Sequence, residues 1–356
     1  MNEKLFGILR CFRLDGEPVS CQPYGCGHIN STYLVETACG RRYILQRINH
    51  NTFKNVAALM ENITAVTDFL RNKAEDPRSV LTLVKTQNGE SYVYAQATYW
   101  RVNEFTEGSI CLQAPETDED FYQSAIGFGT FQQMLSDFPA EKLHETIPNF
   151  HNTPDRYRIF KETLARDPMH RAAEVQPEIE FVLAREKEMA TIHNGLIAGE
   201  LPLRVTHNDT KLNNVLLDAQ TRKALCVIDL DTVMPGSSLY DYGDAIRFGA
   251  ATAAEDEKDL SKVELDLHLF RVFTRGYIQA CPGLTAKELQ YMPLGAKIIT
   301  MECGVRFLTD YLDGDNYFSI HREGHNLDRA RTQFKLVSDM EAKWDEMHRI
   351  VKEEMK

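Results

Sequence analysis

Four side chains in the second half of the chain have the types and spacing to move a phosphoryl group: Asp209, Lys211, Asn214 and Asp229. They lie in Val205-Thr206-His207-Asn208-Asp209-Thr210-Lys211-Leu212-Asn213-Asn214 and, further on, in Val227-Ile228-Asp229-Leu230-Asp231. The pattern is His-x-Asp, an Asn five residues past the Asp, then an Asp closing an apolar run. Phosphoryl transfer asks for positioning and charge neutralisation more than for covalent chemistry. One carboxylate must meet the attacking hydroxyl, and Asp209 is the candidate. A metal ion bridging nucleotide phosphates wants hard oxygen ligands, which the Asn214 amide and the Asp229 carboxylate offer. Lys211 is placed to neutralise charge on the group in transit. His207 is read as a brace of the loop rather than an acid or base. His-x-Asp alone is common, and Asp-rich loops are usually turns or caps. Here the His-x-Asp, the Asn, the β-run after it and the Asp ending the next β-run agree.

These groups need elements that bring them together. Val215–Leu217 and Leu225–Leu230 read as short apolar strands whose hairpin returns Asp229 to the Asp209 loop. Upstream, residues 20–48 read as strands, with Tyr33-Leu34-Val35 and Tyr43-Ile44-Leu45 turning at Ala38-Cys39-Gly40. Just before them, Tyr24-Gly25-Cys26-Gly27-His28-Ile29-Asn30 carries two glycines that let backbone approach a ligand. Apolar residues at helical spacing predict an amphipathic helix over 53–72, followed by strands at Val80–Thr86, Ser91–Ala95 and Tyr99–Phe105. Past a connector near Glu107-Gly108 the character changes. Residues 118–136, 155–166, 177–198, 263–281, 286–313 and 328–354 read mainly as helices, and strands are expected only in the hairpin. The expectation is an α+β chain in two lobes: residues 1–107 small and β-rich, residues 108–356 larger and mainly helical.

At 356 residues and 43% hydrophobic the chain is globular and too long for one core. Its net charge of −12 repels a duplex or a phospholipid surface, so neither nucleic acid nor membrane is an expected partner. No obligate protein partner is evident. An anionic ligand must then be held by local groups. The eight cysteines include no C-x-x-C pair, which argues against zinc and for thiols in a reducing compartment. Residues 1–10 carry no secretory signal, and no run of about 18 apolar residues occurs, so a cytoplasmic location is expected.

The segment 203–214 (L-R-V-T-H-N-D-T-K-L-N-N), with Leu239-Tyr240-Asp241-Tyr242-Gly243-Asp244, resembles the aminoglycoside phosphotransferase-like small-molecule kinases. Longer runs are similar to one subgroup, the N-acetylhexosamine 1-kinases: Pro23-Tyr24-Gly25 with Gly27-His28-Ile29-Asn30, Arg42–Gln46, Ile228–Thr232, Asp244–Gly249, Asp256–Lys262 and Met301–Gly304 with Arg306-Phe307-Leu308. The resemblance implies a bilobal protein-kinase-like fold, Mg2+ and ATP, and the anomeric hydroxyl of N-acetylglucosamine or N-acetylgalactosamine as acceptor. It implies Asp209 as the catalytic carboxylate and Asn214 and Asp229 as metal ligands. Gly25, Gly27, His28 and Asn30 fall in the nucleotide-covering loop, and Asn103 and Phe105 in the hinge facing adenine. The strand lysine that pairs with the α- and β-phosphates falls near Gln46, which is neutral. In a regular strand Arg47 points to the other face, and Glu61 on the next helix has no lysine to pair with.

Arg204, Asp231, Arg247 and Arg306 are candidates to hold the sugar, since carboxylates and guanidinium groups hydrogen-bond polyols. Each has a structural alternative. Asp231 either contacts metal or sugar or braces the loop, and Arg306 with Asp310 has the spacing of a helical ion pair. Asp241 is read as structural. Two other functions remain open: a kinase of an amino alcohol, homoserine or an aminoglycoside, and a nucleotide-binding pseudokinase, favoured only by Gln46.

Overall fold

The computed structural model describes residues 2–25 and 29–356. It begins with α1 (Asn2–Leu9), then the strands β1 (Pro18–Pro23), β2 (Ser31–Thr37) and β3 (Arg42–Ile48). After α2 (Val56–Arg71) come β4 (Leu83–Val84), β5 (Val93–Ala95) and β6 (Thr98–Glu104). The strands form one antiparallel sheet in the order β1-β2-β3-β6-β4, with β5 also on β6.

Alternation gives this sheet two different faces. Val35, Tyr43, Leu45, Trp100 and Val102 pack with Leu5, Ile8, Leu9 and Phe12 in one apolar cluster on the outer face. Thr32, Gln46 and Arg101 stand opposite one another across three strands on the other face, as do Leu34, Ile44 and Asn103 in the next row. The helix α2 starts where the Asn55 side chain accepts from Ala58 N–H at 3.1 Å, and its apolar stripe joins Val205, Leu230 and Val233 from the second half of the chain.

The second half contains β7 (Ser109–Cys111), α3 (Asp118–Met134), α4 (Thr153–Arg166), α5 (Gln176–Leu183), α6 (Glu186–Met189) and α7 (Thr191–Ile197). Next come β8 (Arg204–Thr206), β9 (Val215–Asp218), β10 (Ala224–Val227) and β11 (Met234–Gly236), and then α8 (Ser238–Gly249), α9 (Leu267–Ala280), α10 (Ala286–Asp313), α11 (His325–Ala342) and α12 (Trp344–Glu354). The architecture is mixed α+β, with an antiparallel sheet lobe followed by a helical one. Here the strands are minor: β10-β9-β7 and the pair β11-β8. The largest apolar core joins α3, α8, α9, α10 and α11. Helices α8 and α10 touch backbone to backbone: a Cβ on Gly243 would collide with the Gly295 carbonyl, and one on Gly295 would stand 2.8 Å from the Leu239 carbonyl.

Several expected elements differ. The strand expected at Val80–Thr86 shrinks to Leu83–Val84 behind a 3-10 turn at Pro77–Ser79. Residues 177–198 form three helices and 328–354 form two, with breaks at 184–185, 190 and 343 where no Pro or Gly announces them. The strands β7, β8 and β11, three residues each, were not expected, because so short a run has no readable period. Neither α1 nor α8 was expected as a helix. Among the described residues no helix is long and apolar enough to cross a membrane.

Candidate active site

The loop 207–210 leaves β8, which pairs with β11 through Thr206 and Met234. It is held from below by the first turns of α8. Asp241 accepts from the backbone N–H of His207 at 2.9 Å and of Asn208 at 2.8 Å, and from the Gln132 amide at 2.9 Å. Asp244 accepts from Thr210 N–H at 3.1 Å. Asn208 has φ 64°, a left-handed conformation that Asn tolerates better than most side chains. His207 is fully buried between the edges of Phe128 and Phe131. Its Nε2 donates to the Ile228 carbonyl at 2.8 Å, which leaves Nδ1 to accept from Asp209 N–H at 3.3 Å. His207 is thus the brace the sequence led us to expect.

Asp209 follows this frame and is only partly buried. Lys211 Nζ lies 2.8 Å from Asp209 Oδ1, and Asn214 Nδ2 donates to Asp209 Oδ2 at 3.0 Å and to its carbonyl at 2.8 Å. Burial pulls the Lys211 ammonium down, but Asp209 more than offsets it and holds the lysine above its ordinary value. The β9–β10 hairpin puts Val215 opposite Val227, and Ile228 N–H donates to the Asn214 carbonyl at 2.9 Å, so Asp229 arrives beside Asn214. Asp229 takes φ 59°, which turns the chain out of β10.

Asn214 and Asp229 fit a divalent cation. With its Nδ2 bound to Asp209, the Asn214 amide has its oxygen free of protein donors, as is the Asp229 carboxylate among the described residues. Enclosure by protein, then the Asp231 and Asp209 carboxylates, push the Asp229 carboxyl up to about 6. A cation beside the exposed Asp229 would relieve the repulsion from the neighbouring carboxylates. Among the described residues no group of three or more His, Cys, Asp or Glu forms a metal cage. One amide and one carboxylate suit Mg2+ completed by phosphate and water.

From the sheet lobe, Gly25 has φ 76°, while Gly27 and His28 lie outside the described residues. Asn30 accepts from Asn49 N–H at 2.9 Å and donates to the Asp231 carboxylate. Gln46 donates to Thr32 Oγ1 at 3.2 Å and accepts from Arg101 Nε at 2.9 Å. Asn103 shares the Gln46 face, and its buried Oδ1 has no hydrogen-bond partner among the described residues. Phe105 lies edge-on to Tyr24 and under the Arg42 guanidinium. Its N–H is already given to the Arg42 carbonyl at 3.1 Å, so as a hinge residue it can offer only its ring and carbonyl. Arg47 donates to Ser31 at 3.0 Å and is exposed, and Glu61 reaches His144 at 2.6 Å away from Gln46.

Three of the four residues expected to hold the sugar turn out to be committed internally. Arg204 forms a two-pronged buried pair with Glu288 (2.5 and 2.7 Å) and donates to the Gly283 carbonyl. Arg247 is divided between Asp244 at 2.9 Å and Glu255 at 2.7 Å, and so fixes the carboxylate under Thr210. Asp231 is paired with Arg101 and Asn30. Isolated buried charges are costly, and each of these has found its counter-ion within the fold. Arg306 differs. Its guanidinium is ringed by Phe150, Tyr317 and Phe318 at 5.4, 5.8 and 5.4 Å and pairs with no carboxylate among the described residues; Asp310 instead accepts from the N–H groups of Asn316, Tyr317 and Phe318.

Sequence reasoning missed Arg101, His151 and Glu302. His151 Nδ1 lies 2.9 Å from the fully buried Glu302, which also accepts from Thr153 at 3.0 Å. His151 and Asn208 line a cleft of about 320 Å³ with Phe150 and Tyr240, and both His151 Nε2 and Asn208 Oδ1 are buried there without partners. Asp244 is pushed up by burial but held below its ordinary value by Arg247, Lys211 and His151, so the cleft and the Asp209 loop share one electrostatic neighbourhood.

A family model described as "Phosphotransferase enzyme family" matches residues 20–266. Among solved structures the chain is similar to a microcompartment-associated aminopropanol kinase, with TM-score 0.61 and 14% identity, covering 98% of this chain and 99% of that one. It is similar to an amicoumacin kinase solved in complex with AMP-PNP, Ca2+ and Ami, with TM-score 0.60 and 11% identity over 94% of this chain and 92% of that one. A choline kinase of Streptococcus pneumoniae gives TM-score 0.53 and 13% identity over 91% and 94%. At these identities the likeness is one of fold, and it extends over both lobes.

Proposed function

The chain belongs to the phosphotransferase enzyme family, and on that premise we propose that it transfers the γ-phosphoryl group of Mg2+-ATP to the anomeric hydroxyl of an N-acetylhexosamine. The observation that carries the acceptor is the cleft beside Asn208. Asn208 Oδ1 and His151 Nε2 have no hydrogen-bond partner among the described residues, the exposed Glu145 carboxylate accepts from Asn149 N–H and pairs with no cation among the described residues, and the nearby Arg306 guanidinium is ringed by aromatic side chains. The buried carboxylates beside it, Asp244 and Glu302, are already satisfied by Arg247 and by His151 with Thr153. A neutral polyol with an acetamide finds amide, imidazole and guanidinium groups here, whereas an ammonium would find one unpaired carboxylate, the exposed Glu145. The subgroup resemblance of Met301–Gly304 and Arg306-Phe307-Leu308 supports the same acceptor.

In this reading Asp209 orients the acceptor hydroxyl and takes its proton as the new O–P bond forms and the bond to the β-phosphate oxygen breaks, releasing ADP. Asn214 and Lys211 fix the two Asp209 oxygens. Mg2+, held by Asn214 and Asp229, would supply charge neutralisation at the phosphates.

The test is ADP release with Mg2+-ATP and N-acetylglucosamine, N-acetylgalactosamine, glucose, choline, homoserine or an aminoglycoside as acceptor. Turnover confined to N-acetylhexosamines, with the product phosphorylated at C1, is expected. Turnover only with a cationic acceptor would discard the sugar and keep Asp209.

A further inference from the structure

We propose that Arg101 grips the nucleotide phosphates, the task left without a lysine by Gln46, and that Asp231 and Gln46 are its positioning residues. This rests on the nucleotide half of the reading above and not on the acceptor. A triphosphate in a chain of net charge −12 needs a cation on the sheet face that covers it. Other arginines of the central strands are otherwise engaged. Arg42 lies over the Phe105 ring and pairs with Glu107, Arg41 lies near Asp15 and Glu104, and Arg47 is exposed and bonded to Ser31.

Arg101 stands directly across from Gln46 in the β3–β6 register, so its stem starts one strand away from the vacant position and on the same face. It is the longer side chain, and its head is fixed at two points: Nε to Gln46 Oε1 at 2.9 Å and Nη1 to the Asp231 carboxylate. The third nitrogen, Nη2, meets no acceptor among the described residues. Asp231 lies two residues past Asp229 and also receives Asn30 from the end of the glycine loop. Its carboxylate therefore joins the loop, the sheet and the metal-ligand turn. A planar guanidinium held at Nε and Nη1 presents its remaining edge in a fixed direction, which suits a phosphate oxygen.

The alternative is a latch between lobes that never touches nucleotide. Isothermal calorimetry with ADP and with adenosine, each in Mg2+ buffer and without acceptor, separates the two. In Arg101→Met, ADP affinity is expected to fall about 10- to 100-fold, the worth of hydrogen bonds to a charged group. Adenosine, which has no phosphate, should bind within about twofold of the wild type. Adding Gln46→Lys to Arg101→Met should recover a large part of the ADP affinity, because it restores a cation at the facing position. ADP affinity unchanged in Arg101→Met, or ADP and adenosine weakened equally in both that variant and Arg101→Lys, would overturn the proposal. Failure of the wild-type protein to bind ADP would overturn it together with the nucleotide reading, whereas failure to use a sugar leaves it standing.

Discussion

Lys211 Nζ and Asp209 Oδ1 are 2.8 Å apart, while the other Asp209 oxygen accepts from Asn214 at 3.0 Å. The carboxylate is thereby held by a cation on one side and an amide on the other, and the ammonium stays charged against the pull of burial. Substituting Lys211→Met keeps the stem and removes the charge. We expect kcat to fall by about 100-fold with the nucleotide KM little changed, the pattern of an interaction realised in the transition state. Steady-state kinetics check it, and an unaltered kcat would remove Lys211 from the mechanism. Asp209→Asn should abolish turnover.

Asn214 and Asp229 should be separable by their metal dependence. In Asn214→Ala one amide ligand is lost and Asp229 remains, so excess Mg2+ should recover part of the rate. In Asp229→Ala the charged ligand is lost, and activity should stay low at any Mg2+ concentration. The readout is rate against free Mg2+, with chelation of the metal silencing the wild-type protein. Full activity of Asp229→Ala with Mg2+-ATP would show the ligand assignment to be wrong.

Asp241 does not line the cleft, yet it accepts from three donors that set the catalytic loop. Asp241→Asn turns one acceptor oxygen into a donor facing buried N–H groups. A cost of about 2–4 kcal/mol is expected from the unsatisfied donors. Thermal melting should show the loss, and kcat should fall with it because Asp209 follows His207 and Asn208. Gly243→Ala should lower the melting temperature as well, since the new methyl meets the Gly295 backbone.

What the sequence made legible was local. The spacing of Asp209, Asn214 and Asp229 survives into geometry because all three belong to one loop and one hairpin, where sequence separation fixes spatial separation. The helix α10 was legible end to end, its Thr285–Glu288 capping box and Gly314 marking its limits. Partners across the fold were not legible. Arg204, Arg247 and Asp231 have the composition of ligand-binding groups, and nothing near them in sequence announces Glu288, Glu255 or Arg101. The register that sets Arg101 against Gln46 comes from a strand pairing across 55 residues of chain. The only sequence signal for Arg101 was a charge within the apolar strand Tyr99–Phe105. Conversely, the helical ion pair with Asp310 that stood as the alternative for Arg306 is not formed, because Asp310 faces the turn after Gly314.

The Arg204–Glu288 pair offers a test with both a stability and a pH signature. Burial pushes the Glu288 carboxyl up, but Arg204, the Thr285 N–H and Ser238 outweigh it and hold the group below its ordinary value. A carboxyl depressed on folding stabilises the fold fully above its unfolded value of about 4.3, and that stabilisation fades as pH falls through the lower folded value. Denaturant unfolding of wild type and Glu288→Gln across the acid range should therefore show a stability gap that is constant at neutral pH and narrows toward strong acid. At neutral pH Arg204→Met should cost about 3–5 kcal/mol, because it leaves Glu288 buried without its cation. Replacing both residues by apolar side chains should cost less than either change alone. If Arg204 instead held the acceptor, Arg204→Met would raise the acceptor KM in protein that remains folded. We expect that KM to stay unchanged, and Arg306→Met, which breaks no ion pair, to raise it.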